Sequence, residues 1–304
     1  MEQIKIFFSK DWPSSAEASA GKTDYELLDT GEGERLERFG KYTFVRPYED
    51  AVWPKTLAED IWEKTDGKFQ SSKEGKKAGW TGKTLKDKWK MEYKGIKFLA
   101  TPTPFRHLGF FPEQAPHWDF IETRLSQGSG GRGKIKFLNL FGYTGVASLF
   151  ALRAGAEVTH VDASKQVLAW AKENQKLSGL ENLPMRVIED DVVKFLEREI
   201  KRGNKYDAII MDPPKHGRGP KGEVWKLEDM MPKLIDLVKK VLNDDPIFVI
   251  LTSYATDSSS LALGNALREV MKKFDGKVEQ GELCVKEKSN GRLVSLSNTA
   301  VWQR

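Results

Sequence analysis

Four acidic side chains that stand directly after apolar runs are the first residues here that could do chemistry. Asp162 ends the run Glu157–Asp162, Asp190 and Asp191 follow Pro184–Glu189, and Asp212 follows Tyr206–Met211. A carboxylate at the end of a buried strand is an acceptor for hydroxyl or amino donors. An earlier run, Ile135–Leu140, leads instead into Phe141-Gly-Tyr-Thr-Gly145. Gly142 and Gly145 there allow a sharp turn and close backbone approach to a ligand. The stretch beginning at Val146 would offer free amides and the positive end of a helix dipole. Two glycines fall short of the three-glycine dinucleotide fingerprint, and any tight strand-to-helix turn can hold two.

Asp162 lies twenty residues after Gly142, the spacing at which a carboxylate accepts from both ribose hydroxyls of a nucleoside. The competing role is an N-cap, which Ser164 could fill as well. One of Asp190 and Asp191 suits an adenine amino group, with Val192 against the ring, while the other caps the next helix. The most specific signal is Asp212-Pro213-Pro214. Two prolines fix the backbone and withhold two amide donors. The Asp212 carboxylate and nearby carbonyls are then left as acceptors that can hold a planar nitrogen or base edge. Lys215, Arg218 and Lys221 add positive charge to the same loop, suited to a phosphate or simply to solvent. His216, by its residue type, is a candidate base or a packing residue. Tyr254 could stack on a base or stand at a rim.

These residues need a scaffold that brings them together. From residue 134 onward, strand-like runs alternate with helical patterns at Val146–Ala154, Lys165–Leu177, Val192–Lys201, Leu227–Leu242 and Leu261–Phe274, with a further strand at Pro246–Thr252. That alternation predicts βαβ units and a parallel sheet covered by helices on both faces. Ligands of such sheets bind at the carboxyl ends of the strands, where the acidic residues stand. Lys277–Lys286 and Leu293–Trp302 are then two strands joined by only six residues containing Asn290-Gly291. So short a link permits only antiparallel pairing. The expected fold is α/β, a Rossmann-like sheet with a terminal antiparallel hairpin, preceded by a small β-rich domain. The expected domains are residues 1–100, a connecting segment 101–133 and the α/β domain 134–304. Within the connecting segment, His117–Leu125 is helix-like and Gln127–Gly133 a flexible connector. Residues 1–100 hold short strands, Lys41–Val45 and Lys94–Leu99 among them, and an exposed loop at Ser71–Gly79.

Composition narrows the classes. The chain has 304 residues, 39% hydrophobic and 31% charged, an ordinary globular composition. It has no run of about 18 apolar residues, so no membrane span is expected. The apolar patch within Met1–Lys10 is too short for a signal peptide and that stretch holds no small-residue cleavage site, so none is expected. One cysteine, Cys284, excludes a disulfide scaffold and a cysteine-rich metal site, and four histidines suggest no metal cluster. A reducing cytoplasm fits. Between Lys55 and Lys97 stand twelve lysines against seven acids, which equals the whole net charge of +5. Trp62, Phe69, Trp80, Trp89 and Tyr93 are interleaved with them. Lysines among aromatics suit a phosphate backbone with stacked bases, or a lysine-rich surface over a small β core.

As a set, Asn139-Leu-Phe-Gly-Tyr-Thr-Gly145, Asp162-Ala-Ser164, Ala171-Lys-Glu-Asn174, Asp190-Asp-Val192 and Asp212-Pro-Pro214 resemble the class I S-adenosylmethionine-dependent methyltransferases. Within them the chain is similar to the bacterial large-subunit ribosomal RNA methyltransferase group, which contains 5-methylcytosine and 7-methylguanine enzymes. The likeness spans about residues 90–304. It implies S-adenosyl-L-methionine as cofactor, held by Phe141, Gly142, Thr144, Gly145, Asp162, Ala163, Asp190, Asp191 and Val192. Asp212, Pro213 and Pro214 would be the catalytic segment. Phe105-Arg-His-Leu-Gly-Phe-Phe-Pro-Glu-Gln114 resembles the segment that covers the cofactor, with Gln114 and the backbone near Gly109 closing the site and His107 a packing or hydrogen-bonding residue. RNA, ribosomal RNA foremost, is the implied partner.

One departure matters. Methylation at cytosine carbon 5 needs a cysteine thiolate that adds to the ring, and the group carries it after the fifth strand. Here that place reads Leu251-Thr-Ser-Tyr-Ala-Thr256. Transfer to a nitrogen or oxygen needs no covalent intermediate, so a base nitrogen is the expected acceptor. The alternatives are a methyltransferase for a protein side chain or small molecule, and a binding protein that keeps the cofactor fold without turnover. A nicotinamide-dependent dehydrogenase is disfavoured by the closing hairpin.

Overall fold

The computed structural model describes residues 4–8, 12, 24–72, 77–83, 87–128, 133–254 and 259–304. Two compact units emerge. One holds Met1–Phe7, Pro116–Leu283 and Ser295–Arg304; the other holds Phe8–Ala115 and Cys284–Val294. The chain begins with β1 (Lys5–Phe8). The smaller unit is then built from β2 (Tyr25–Gly31), β3 (Glu34–Phe39), β4 (Tyr42–Pro47), the short α1 (Glu59–Glu63), β5 (Gly67–Gln70), β6 (Gly79–Gly82), β7 (Trp89–Tyr93) and β8 (Ile96–Ala100). Strands β2 to β6 form one sheet in chain order, and β7–β8 form a separate hairpin. Lys94 and Gly95 are the turn of that hairpin, both left-handed at φ 48° and 81°, as a two-residue loop of primed type requires. The second strand therefore starts at Ile96 rather than Lys94.

The aromatics of the lysine-rich stretch go inward. Trp62, Phe69 and Tyr93 are buried, the Trp62 indole donates to Asp29, and Trp89 stacks on Phe44 at 5.8 Å and 14°. Trp80 meets Phe44 and Phe69 edge-on. Rings this occupied with each other serve a core. The lysines outside are partly neutralised at home: Lys64 pairs with Asp60, Lys68 with Glu34 and Lys83 with Asp66. Of the predicted exposed loop Ser71–Gly79, residues 73–76 lie outside the described residues.

The larger unit is an eight-stranded sheet with the order β1-β16-β17-β15-β12-β9-β10-β11. Its elements are α2 (Ala115–Gly128), β9 (Lys136–Leu140), α3 (Val146–Arg153), β10 (Glu157–Asp162), α4 (Lys165–Leu177), β11 (Met185–Glu189), α5 (Val192–Lys201), β12 (Ala208–Met211), β13 (His216–Arg218), β14 (Val224–Lys226), α6 (Leu227–Val241), β15 (Phe248–Ser253), α7 (Ser260–Met271), β16 (Lys277–Lys286) and β17 (Leu293–Gln303). Strands β11, β10, β9, β12 and β15 are parallel, and β17 returns antiparallel to β15. Strands β12 and β15 are buried at every position, the pattern of strands covered on both faces. The expected α/β sheet with a terminal antiparallel hairpin is thus the observed one. The chain runs outward from β9 to β11, then jumps back to β12 on the other side of β9, so the switch point of the sheet lies between β9 and β12.

The connecting segment 101–133 does not stand apart. Residues up to Ala115 belong to the β-rich unit, ending in a buried 3-10 turn, Pro112–Gln114. From Pro116 the chain joins the sheet, because α2 carries aromatics that need covering: Trp118 stacks on Phe150 and Phe120 meets Phe248 edge-on. Gln127 and Gly128, expected in a flexible connector, are the last turn of that helix, and residues 129–132 lie outside the described residues. The tip of the β16–β17 hairpin is counted with the smaller unit; there Ser289 donates to Asp29 and Arg292 lies over Trp53.

Candidate active site at the strand tips

The loop after β9 turns through two non-glycine residues in the left-handed region, Phe141 at φ 58° and Tyr143 at φ 50°, before Gly145 at φ 83° opens α3. Such conformations cost about 1 kcal/mol or more each and persist only where the surroundings impose them. Here the surroundings are explicit. Asp162 at the tip of β10 accepts the Tyr143 amide at 2.9 Å, and His160, two residues earlier, contacts the Tyr143 carbonyl at 3.2 Å. Asn174 of α4 donates to the Thr144 carbonyl at 2.9 Å.

The histidine tautomer follows from the partners. A carbonyl only accepts, so His160 Nε2 carries the proton, and Nδ1 accepts from the Ser148 hydroxyl at 3.0 Å. Ser148 in turn accepts from the Asn139 amide at 3.0 Å. All three side chains are buried. Burial pushes the His160 pKa down to about 4, so the ring is neutral and the chain of hydrogen bonds is complete.

This changes the reading of the glycines. Gly142 is not left-handed, and a Cβ there would collide with the His160 ring. A Cβ on Gly145 would meet Ala171 at 3.0 Å. Both glycines make room for the protein's own packing, and Gly145 also takes a left-handed backbone. Their residue types were readable in the sequence; Asn139, Ser148, His160 and Asn174, which give the reason, were not singled out as a set. The one available signal was polar residues interrupting apolar strands, Asn139 in β9 and His160 in β10.

Asp162 is held by its amides as well as holding one. Oδ1 accepts from the Ser164 amide at 2.9 Å. Burial raises its pKa, opposed by the amides of Ser164, Tyr143 and Ala163. Ser164 sits at the N-cap of α4 without a side-chain cap bond. Asp191 is the N-cap of α5, its Oδ1 accepting from the Lys194 amide at 3.0 Å. Asp190 accepts the Asp191 amide and pairs with Arg198. Val192 is buried in the core of the unit, and Ala163 is half-buried beside Asp162.

Asp212 stands at the tip of β12, its amide 3.4 Å from the Leu140 carbonyl across the switch point. Pro213 is buried and Pro214 exposed. The loop beyond them is structured where none was expected: β13 and β14 pair as a short antiparallel ribbon, with His216 opposite Lys226 and Gly217 opposite Trp225. Trp225 fastens it. Its indole donates to the Pro214 carbonyl at 2.6 Å, and its ring meets Phe141 edge-on at 4.8 Å. The Pro214 carbonyl is therefore engaged by the protein itself. His216 is exposed, and Tyr254 is half-buried just past β15. The structure thus brings Phe141–Gly145, Asp162, Ala163 and Asp212–Pro214 to one end of one sheet.

Gln114 and His107 lie in the smaller unit. Gln114 is buried in the 3-10 turn, and His107 packs on Phe111 at 4.9 Å, with burial holding its pKa down to about 3. Cys284 is buried in β16. No helix among the described residues is long and apolar enough to cross a membrane.

Comparison with known proteins agrees with this fold. The model of a family described as conserved hypothetical protein 95 matches residues 125–280. A crystal structure of a SAM-dependent methyltransferase from Agrobacterium tumefaciens is 39% identical, with a TM-score of 0.89, covering 98% of this chain and 93% of that one. Ribosomal RNA large subunit methyltransferase K of Neisseria meningitidis is 33% identical over 155 residues, 50% of this chain and 42% of that protein. Ribosomal RNA large subunit methyltransferase I of Aeromonas salmonicida is 33% identical over 135 residues, 44% of this chain and 32% of its own length. The chain spans less than half the length of these two relatives.

Proposed function

The chain belongs to the conserved hypothetical protein 95 family, and from that premise we propose that it is an S-adenosylmethionine-dependent methyltransferase acting on a base nitrogen of RNA, ribosomal RNA foremost. The observation that carries the proposal is the meeting of Asp162, the strained Phe141–Tyr143 turn and Asp212-Pro213-Pro214 at the switch point. The names of the Neisseria and Aeromonas relatives support the RNA part of it, and the 39% identical Agrobacterium structure supports the cofactor.

The residues fit that cofactor. A carboxylate has about four acceptor directions, so Asp162 can hold its loop amides and still accept from a ribose hydroxyl. The helix cap uses one oxygen of Asp191, and the second suits an adenine amino group. The Phe141–Gly145 backbone at the start of α3 suits the amino-acid end. When bound, the cofactor supplies an electrophilic methyl group on a sulfonium. The protein's own task is alignment and proton handling. Asp212 accepts a hydrogen bond from the N–H of the target base, turns the nitrogen lone pair toward the methyl, and takes up the proton released on transfer. Pro213 and Pro214 keep that carboxylate still and place no competing amide beside it. The tip of β15 reads Thr252-Ser253-Tyr254, without the thiol that carbon-5 chemistry requires.

The test is incubation with labelled cofactor and ribosomal RNA from cells lacking the protein, followed by nucleoside mass spectrometry. An N-methylated base in the RNA is the expected product. Label in the protein fraction, at carbon 5, or nowhere would overturn the proposal.

A further inference from the structure

The β13–β14 ribbon has an outward face that the site chemistry leaves unused. Register places His216 beside Lys226 and Arg218 beside Val224. All four are exposed, Val224 to 70%, while Gly217 and Trp225 face inward. From Lys215 to Lys226 there are three lysines and one arginine against a single acid, Glu223. That acid is already committed: Lys194 Nζ lies 2.5 Å from Oε1, and the Lys221 amide donates to Oε2 at 2.9 Å. Lys226 is 3.4 Å from Asp229 at the start of α6. The face therefore carries excess positive charge on a rigid mount. Its neck is closed by the Leu227 amide on the Lys215 carbonyl at 3.0 Å, and its floor is the Trp225 ring braced on Pro214 and Phe141.

Rigidity and location distinguish this charge from an ordinary solvated loop. The ribbon begins four residues after Asp212, so whatever it grips is held in register with the acceptor carboxylate. Alternate residues along a strand stand about 7 Å apart on one face, a spacing on the scale of consecutive phosphates. Resting on the proposed RNA reading, we infer that the outer face of β13–β14, through Arg218, Lys226 and His216, docks the phosphates of single-stranded RNA flanking the target base. The ribbon sets which nucleotide reaches Asp212.

Binding of a fluorescent single-stranded RNA oligonucleotide across a salt series tests this with the full chain. The variant His216→Ala/Arg218→Ala/Lys226→Ala removes exposed side chains only. Each phosphate left without its cation lowers the salt slope by about 0.7, so losing Arg218 and Lys226 should cost about 1.4 in slope and roughly tenfold or more in affinity. Calorimetric affinity for S-adenosylhomocysteine should stay that of the wild type. The control Lys201→Ala/Lys272→Ala, two exposed cations at the ends of α5 and α7, should leave slope and affinity nearly intact. Wild-type RNA affinity in the triple variant, or an equal loss in the control, would overturn the inference while leaving the methyltransferase reading standing. Absence of salt-dependent RNA binding by the wild type would overturn both.

Discussion

In the smaller unit a buried polar cluster across β3 and β4 is charged. Arg35 and Arg46 face each other across β3 and β4, and Glu37, fully buried, accepts both nitrogens of the Arg46 fork at 2.6 Å and lies 3.3 Å from Arg35. Tyr25 adds a hydroxyl at 2.9 Å. In the larger unit, beneath the strand-tip turn, Asn139, Ser148, His160 and Asn174 are buried and neutral. Two like charges opposite each other in a sheet repel, and Glu37, which bonds Arg46 and lies against Arg35, is the carboxylate in direct contact with both. The network of these four side chains carries no net charge to desolvate, and it supports a strained turn that the Asp162 carboxylate holds from the other side. The contrast separates a device that specifies strand pairing from one that presets a binding loop.

The sharpest way to break the comparison is Glu37→Ala. Two buried guanidiniums would lose the carboxylate that contacts them, at a cost of about 3–5 kcal/mol. Limited proteolysis combined with thermal unfolding should locate the loss in Phe8–Ala115; a variant as stable as wild type would show that the charges are hydrated instead. Next in size is Asp212→Ala, for which kcat should fall by about 10²–10³ while cofactor affinity changes little. A similar loss in cofactor affinity would make Asp212 a binding rather than a catalytic residue.

Acid titration sharpens the neutral side. The His160 pKa falls from 6.5 to about 4 on folding, so the unfolded chain binds a proton that the native ring refuses. Its contribution is complete above pH 6.5 and is lost as pH falls toward 4, by roughly 3 kcal/mol at the lower end. His117 and His107, both held down to about 3, act in the same direction. Chemical denaturation at pH 7 and pH 5 should show the loss, reduced in His160→Gln. Glu37 titrates with the opposite cause: its arginines hold its pKa down, and its contribution survives until the carboxylate protonates at lower pH. The smallest effect is Asp162→Asn, which removes a charged acceptor worth about 1.5–3 kcal/mol. Cofactor Kd should rise by about tenfold or more, read by calorimetry; an unchanged Kd would remove Asp162 from the sugar site.

Much of the larger unit was legible because its signals are local. Glu157–Asp162, Lys165–Leu177, Val192–Lys201 and Lys277–Lys286 occur with the predicted bounds, since apolar period and capping act over a few residues. The smaller unit was less legible. Its lysine and aromatic interleaving suited RNA or a core equally, and only packing turned Trp62, Phe69 and Tyr93 inward. The candidate site was legible as residue types: Asp162, Asp212 and the two prolines stand where strand ends were expected. The ribbon beyond Pro214 was not, because its anchor is a contact between Trp225 and Phe141, far apart in the chain.

From its sequence alone this protein determined which segments are strands and helices, that the sheet is parallel with an antiparallel close, and which acids stand at strand ends. Those properties follow from short-range periodicity, linker length and turn chemistry. The tertiary structure alone decided that β9 lies between β12 and β10, that His160 fills the space a side chain at Gly142 would need, and that Trp225 locks the diproline segment. Each of these depends on residues made neighbours by strand order, and strand order is settled by the burial of whole faces, which no local window contains.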